Sequence, residues 1–238
     1  MRRNFRREFG HESFTCCSYN VAETMANIPF STIMQADGGP VVNLFIPGTA
    51  KLKLANDNEV AISQITDYPK TGIVEIDVNP LKPANFPIRL RIPQWSMQTI
   101  VKVNGTEQEV RPGNYLVINR EWKAGDRIIL SLDMRCRLVR SPEGSPAEAD
   151  LYRALVRGPI VLARDQRLGG NIHEKVNIQA DGEGYVAVKP LEPTIPALMQ
   201  FAVPSTGGSS FPVIDFATSG NTWDERSERV TWIPQISP

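Results

Sequence analysis

The sequence has no excess of charge: 26 basic and 26 acidic residues cancel. Nucleic acids and anionic membranes draw proteins in through a basic field, so this balance argues against both as partners. Long apolar runs are missing as well, and none reaches the roughly 18 residues of a spanning helix. Residues 1–12 carry four arginines with no apolar stretch behind them, so the core of a secretory signal is not there. The chain as written is therefore expected in the cytoplasm, unless a parent gene begins further upstream and directs an exported protein. Cysteine is scarce. Two of the three, Cys16 and Cys17, are adjacent, and a vicinal bridge is strained, which argues against a disulfide framework. Cys136, in a strand-like stretch, reads as a small buried residue. Repeats and low-complexity tracts are absent, and helical patterning is confined to one short segment.

That segment is Ser18 to Ile28. Ser18 or Asn20 can cap it, Val21, Met25 and Ile28 share a face, and Pro29 is expected to close it. From residue 41 short β-runs alternate with turn residues. Val41 to Ile46 is stopped by Pro47-Gly48, and Glu59 to Thr66 and Gly72 to Val78 follow. In Phe86 to Ile92 the residues Ile88, Leu90 and Ile92 oppose Arg89 and Arg91, the pattern of a half-buried antiparallel strand. Asn104-Gly105 is a strong two-residue hairpin signal. Residues 141–146, Ser-Pro-Glu-Gly-Ser-Pro, make the best linker candidate, and strand-like runs resume beyond it. The expected fold is all-β: two antiparallel β-sandwich units preceded by one helix. The expected divisions are residues 1–38, 39–140 and 141–238. A lone helix ahead of an all-β chain has little of its own to pack against.

One segment looks chemical, His11 to Asn20 with the cysteine pair inside it. Thiols next to a helix N-terminus meet the positive end of its dipole, which favours thiolate. Thiolate is the form that binds zinc and the form that attacks carbon, although two adjacent cysteines supply only two of zinc's usual four ligands. A merely buried pair is the other reading of the same residues.

Cys16-Cys17-x-x-Asn20, the following helix and the run Val42 to Gly48 resemble the core of the bacterial β-L-arabinofuranosidases, glycoside hydrolase family 127. The resemblance continues through Pro87 to Trp95, Val103-Asn104-Gly105, Tyr115-Leu116, Trp122 to Asp126 and Arg157 to Leu162. It reaches, more loosely, Asp215 to Asn221 and Val230 to Pro234. It implies a helical (α/α)6 barrel followed by β-sandwiches, with residues 1–38 the remnant of the barrel's end. It also implies that Cys16 is nucleophile and zinc ligand, that Cys17 is a zinc ligand, and that a thioglycoside forms and is released with retention. The implied substrates are β-L-arabinofuranosides or related plant-type oligo- or polysaccharides. In that family the remaining zinc ligands and the general-acid glutamate lie upstream of the pair. Only fifteen residues precede Cys16 here, so the chain alone is expected to be inactive and to need a barrel or second chain. Ser18 and Tyr19 replace two prolines of the family pattern, and Glu23 stands where many members carry Arg, which points to altered sugar specificity.

His11 is a candidate substrate contact beside the cysteines. Glu8 and Glu12 read as solvated loop carboxylates, and His173 as a surface residue. Among the four tryptophans, Trp223 lies in a polar run and is the candidate for stacking on a sugar ring, whereas Trp95, Trp122 and Trp232 read as core or sandwich-edge residues. Two further function classes stand beside the glycosidase: a non-catalytic carbohydrate-binding module, and a structural module that supports a barrel or forms a homodimer.

Overall fold

The computed structural model describes residues 16–36, 38–55, 57–222, 224 and 227–236, with the backbone alone for residues 16–19. Contacts divide the chain into two compact units between Asp133 and Met134. In each, the regular structure of the described residues is mostly strands. No helix among the described residues is long and apolar enough to cross a membrane.

The first unit opens with helix α1, Cys16–Thr32, which is longer at both ends than expected. Pro29 does not close it; it lies inside the last turn. A proline there removes one backbone donor, and the turn is held by other bonds. Thr32 Oγ1 donates to the Ile28 carbonyl (3.0 Å). The Thr32 carbonyl in turn accepts from the Asn43 and Leu44 amides at 3.0 and 3.3 Å. Tertiary hydrogen bonds override the local stop signal. The same bonds end the next strand early: Val41 to Ile46 was expected to be one run, yet pairing stops at Val42 because the Asn43 and Leu44 amides turn to the helix end.

Ten strands follow α1: β1 Ile33–Ala36, β2 Gly39–Val42, β3 Gly48–Lys53, β4 Glu59–Thr66, β5 Ile73–Pro80, β6 Ala84–Arg91, β7 Ile100–Val103, β8 Thr106–Gln108, β9 Tyr115–Trp122 and β10 Asp126–Ser131. They make a four-stranded sheet in the order β1-β2-β6-β9 and a six-stranded sheet in the order β3-β4-β5-β10-β7-β8. Pairing is antiparallel except between β2 and β6, which run parallel with Val41 opposite Arg89. Alternation sets the faces. Ile88, Leu90 and Ile92 on one side, and Val74, Ile76, Val78, Ile128 and Leu130 on the other, are essentially sealed from solvent. Each such side chain is worth up to about 1.5–3 kcal/mol of burial. Asn104-Gly105 turns β7 into β8 with φ of 48° and 86°, the left-handed pair a tight hairpin requires.

In the second unit, β11 Cys136–Arg140, β12 Tyr152–Arg157, β13 Ile160–Asp165, β14 Tyr185–Val186, β15 Lys189–Leu191, β16 Gln200–Pro204, β17 Ser210–Asp215, β18 Arg229–Val230 and β19 Trp232–Pro234 belong to one sheet. The strand order is β14-β11-β12-β13-β17-β16-β15, with β18 on β13 and β19 on β12. Val186 near one end of that order and Phe201 and Val203 near the other share a core cluster with Leu155, Leu162 and Ile233. The sheet therefore curls over its own core, so that its two flanks serve as opposing layers. Residues 141–146 join β11 to β12, which pair with each other, so this stretch is a loop inside the second unit. Ser141 Oγ fastens it to the Ala149 carbonyl (2.9 Å).

Candidate functional site

Cys16 and Cys17 form the first turn of α1 instead of preceding it. Backbone amides at that end lack intrahelical partners and carry partial positive charge, which favours thiolate. Their side chains, together with His11, Glu8, Glu12 and Trp223, lie outside the described residues. Adjacent thiols offer zinc at most two of its usual four ligands. Among the described residues no group of three or more His, Cys, Asp or Glu is placed to hold a metal. Those residues therefore do not make up a zinc site by themselves.

What the structure does define is the seat on which the cysteine-bearing helix stands. Asn43 is its hub. The Asn43 amide donates to the Thr32 carbonyl (3.0 Å) and its Nδ2 to the Ser31 carbonyl (3.2 Å), so one residue caps the helix C-terminus twice. Tyr115 donates its hydroxyl proton to Asn43 Oδ1 (2.5 Å), and Arg91 Nε donates to the Asn43 carbonyl. The Arg91 guanidinium also lies 5.5 Å over the Phe45 ring, which meets Tyr68 edge to face with 5.7 Å between centroids. Burial pushes the Tyr68 phenol up, against the opposing pull of Arg91. Beneath the loop, Gln64 Nε2 donates to the Leu44 carbonyl (3.0 Å), while the buried Gln64 Oε1 has no hydrogen-bond partner among the described residues.

None of these residues stood out as a site residue in the sequence. Asn43 sits in an apolar run, and its partners lie 48 and 72 positions away, beyond any local pattern. The available signal was a lone asparagine between Val42 and Leu44, where a strand would prefer a branched apolar residue.

The helix rises from this seat with apolar side chains exposed on more than one side. Val21, Met25 and Phe30 are all exposed, Phe30 to 78%. Elsewhere, Cys136 is buried as expected, and burial drives its thiol up to about 12 despite Arg157 and Arg137 nearby. His173 is on the surface, with Nε2 2.8 Å from Glu228 Oε1. Trp122 is wholly buried and donates Nε1–H to the Phe86 carbonyl (3.0 Å), Trp95 is half-buried, and Trp232 is exposed on β19.

Residues 40–134 match the family model of the GH127 β-L-arabinofuranosidase middle domain. Among solved structures, the chain is similar to a GH127 β-L-arabinofuranosidase from Geobacillus stearothermophilus T6, at 21% identity and TM-score 0.73, over 92% of this chain and 37% of that one. It is similar to a glycoside hydrolase at 24% identity and TM-score 0.78, over 94% and 40% of the two chains. A GH127 β-arabinofuranosidase aligns at 23% identity and TM-score 0.74, over 92% and 38%. At these identities the structures establish a shared fold, and the chain spans about two fifths of their length. No curated protein sequence matches.

Proposed function

We propose, from a chain whose residues 40–134 are GH127-like, that it is the β-sandwich part of a glycoside hydrolase acting on β-L-arabinofuranosides or related plant-type glycans. The observation that carries this reading is the match of the first sandwich to a domain named for that activity. In the same reading, Cys16 is nucleophile and zinc ligand, Cys17 is a second zinc ligand, and His11 and Trp223 meet the sugar. Bound zinc would supply a lowered thiol pKa. The chain's own contribution is positional: Asn43, Arg91 and Tyr115 hold the end of the helix that begins with the two cysteines.

Turnover is assigned to this chain together with a further helical part or second chain, and not to the sandwiches alone. The exposed apolar side chains of α1, Val21 and Met25 one turn apart and Phe30 on the other side of the helix, support that division, because apolar helix surface gains stability only when something covers it. Hydrolysis of an aryl β-L-arabinofuranoside by the chain, with and without added zinc, is the test. No release is expected. Release that disappears in Cys16→Ala would overturn the dependence on a further part while supporting the glycosidase reading. Zinc content after dialysis is an independent readout, expected to fall when Cys16 and Cys17 are both changed to Ala. A carbohydrate-binding role without catalysis would show instead as retardation in arabinan affinity gels, weakened by Trp223→Ala.

A further inference from the structure

The two sheets of the first unit leave two open sides between them, and these sides differ. On one, Gln35 Nε2 of β1 donates to the Lys53 carbonyl of β3 (2.6 Å), which stitches the two sheet edges together. On the other, β9 and β8 are the edge strands, and among the described residues no hydrogen bond joins them. Two open depressions of about 480 and 380 Å³ lie on this side and share Val117, so they form one trench. Residues from the stretch 103–111 make one wall, and residues 114–120 make the other. At ~3.3 Å per strand residue the second wall runs for roughly 20 Å. Each depression is of the size usual for small-molecule sites, about 300–1,000 Å³.

The walls are rich in hydrogen-bonding groups and balanced in charge. Strand β6 decides which backbone groups of β9 are free. The Ile92 amide donates to the Asn114 carbonyl (2.9 Å), which starts an alternation in which even-numbered residues of β9 bond to β6. Tyr115, Val117 and Asn119 therefore turn their N–H and C=O groups outward. Among the described residues, the Asn119 side-chain amide and the Thr106 hydroxyl have no protein partner. Gln108 Nε2 donates to the Thr106 and Glu107 carbonyls (3.1 and 3.2 Å), which leaves its Oε1 as an acceptor. Arg111 lies 3.8 Å from Glu109, and Arg120 lies 3.9 Å from Asp126 with its guanidinium 5.2 Å over the Trp122 ring. Each cation of the walls thus has an anion of its own. Tyr115 is tied by its hydroxyl to Asn43 Oδ1 (2.5 Å), yet it remains 47% exposed. It presents a fixed aromatic surface beside the row of free peptide groups.

We propose that this trench binds an uncharged oligosaccharide of the arabinofuranose-containing class. The choice of sugar rests on the glycosidase reading above, whereas the trench and its preference for a neutral glycan do not. A sugar hydroxyl both donates and accepts, so a chain of hydroxyls answers a row of N–H and C=O groups and the amides and hydroxyl beside them. The C–H face of a sugar ring is apolar and stacks on an aromatic side chain such as Tyr115. A polyanion finds no excess of positive charge here. A peptide added as a strand would use the same backbone row, but its specificity comes from pockets for alternate side chains, and these walls offer amides and hydroxyls.

Amide NMR of the isotope-labelled full chain, titrated with short arabino-oligosaccharides, tests the proposal. Saturable shifts are expected at Tyr115, Val117 and Asn119. Asn119→Ala removes an exposed amide that holds nothing in the fold, and binding should weaken by about threefold to tenfold. Tyr115→Leu removes the stacking surface and should weaken binding about tenfold. Should Tyr115→Leu disturb the seat of α1, Asn119→Ala carries the test alone. The absence of saturable shifts with any neutral oligosaccharide overturns the proposal. So does binding that Trp223→Ala abolishes and Asn119→Ala leaves intact, or tighter binding of a heparin-type polyanion or an extended peptide at these amides. Xylo-oligosaccharides bound in the trench in place of arabino-oligosaccharides would support a neutral-glycan site and overturn the arabinose assignment. Hydrolysis of the aryl arabinofuranoside is read separately, so an active chain with silent trench amides would sink this proposal and leave the glycosidase reading standing.

Discussion

Gly39 lies so close to Pro87 that a Cβ on it would stand 1.8 Å from the Pro87 carbonyl oxygen. This contact allows β2 to run parallel to β6, the one parallel strand pairing among the described residues of the first unit. It also explains how a proline is accepted in an interior strand: Pro87 has no N–H to offer β2, and where its carbonyl points, β2 presents only a glycine. Gly39→Ala must push β2 away from β6, a strain of about 1–3 kcal/mol by comparison with overpacked cores. Urea denaturation should show a lower midpoint at an unchanged slope. A stability equal to the wild type would mean that the two strands can part without cost.

Asn104 helps to make the turn between β7 and β8 and ties it down. Its φ is 48°, its Nδ2 donates to Asp126 Oδ1 (2.8 Å), and its Oδ1 accepts from the Arg127 amide (2.9 Å). Asn104→Gly keeps the backbone but loses both bonds, whereas Asn104→Ala loses them and also places a Cβ in left-handed space. The alanine variant should therefore be the less stable of the two by about 1–2 kcal/mol. Thermal unfolding of the pair checks this, and equal midpoints would show that the turn changes shape to suit its residue.

That hairpin was legible because every signal for it is local, as was the alternation that buries Ile88, Leu90 and Ile92. Strand β4 was legible at both ends for the same reason. The helix end was not, because the bonds that carry it past Pro29 come from Asn43, outside the helix. Strand β15 was missed since Lys189, Pro190 and Leu191 are all exposed and show no alternation to read. The second unit's single curled sheet was equally hidden: alternation tells which face of a strand is buried, but not which strands stand next to it. At the candidate site, the Cys16-Cys17 pair named a family by its motif. The residues that seat its helix, Asn43, Arg91 and Tyr115, come from distant parts of the chain and are brought together only by the fold.

Cys136 should be chemically silent in the folded protein. Burial raises its thiol to about 12, beyond what Arg157 and Arg137 offset, so at pH 8 almost none of it is thiolate. Alkylation followed by peptide mass spectrometry should label Cys136 only after denaturation. Native labelling at a rate like that of a free thiol would mean that the core around Leu155 and Leu162 opens readily.

Asp165 should govern the acid stability of the second unit. Its carboxylate is fully buried and Arg167 nearly so, with Arg167 Nη2 2.7 Å from Oδ2 and Nε 2.8 Å from Oδ1. The Gly220 amide donates to Oδ2 (2.7 Å) and the Arg167 amide to Oδ1 (2.9 Å). Arg167 carries the clamp onward, to the Thr218 carbonyl (3.0 Å) and Asn221 Oδ1 (2.6 Å), and so fixes the loop after β17. Burial alone would raise the Asp165 carboxyl, but the Arg167 side chain and the two amides outweigh it and hold the carboxyl below its ordinary value. A carboxyl whose folded pKa is depressed contributes stability above its unfolded pKa, near 3.9, and loses it as pH falls through the folded value. Asp165→Asn should therefore cost about 3–5 kcal/mol at pH 7, the usual penalty for breaking a buried pair. The difference from wild type should begin to narrow below about pH 4, where the unfolded wild-type carboxyl takes up its proton while the folded one still holds its charge. Urea unfolding of both proteins from pH 7 to pH 3 measures it. A difference that stays constant over that range would show that shape, and not charge, holds Arg167 and the loop in place.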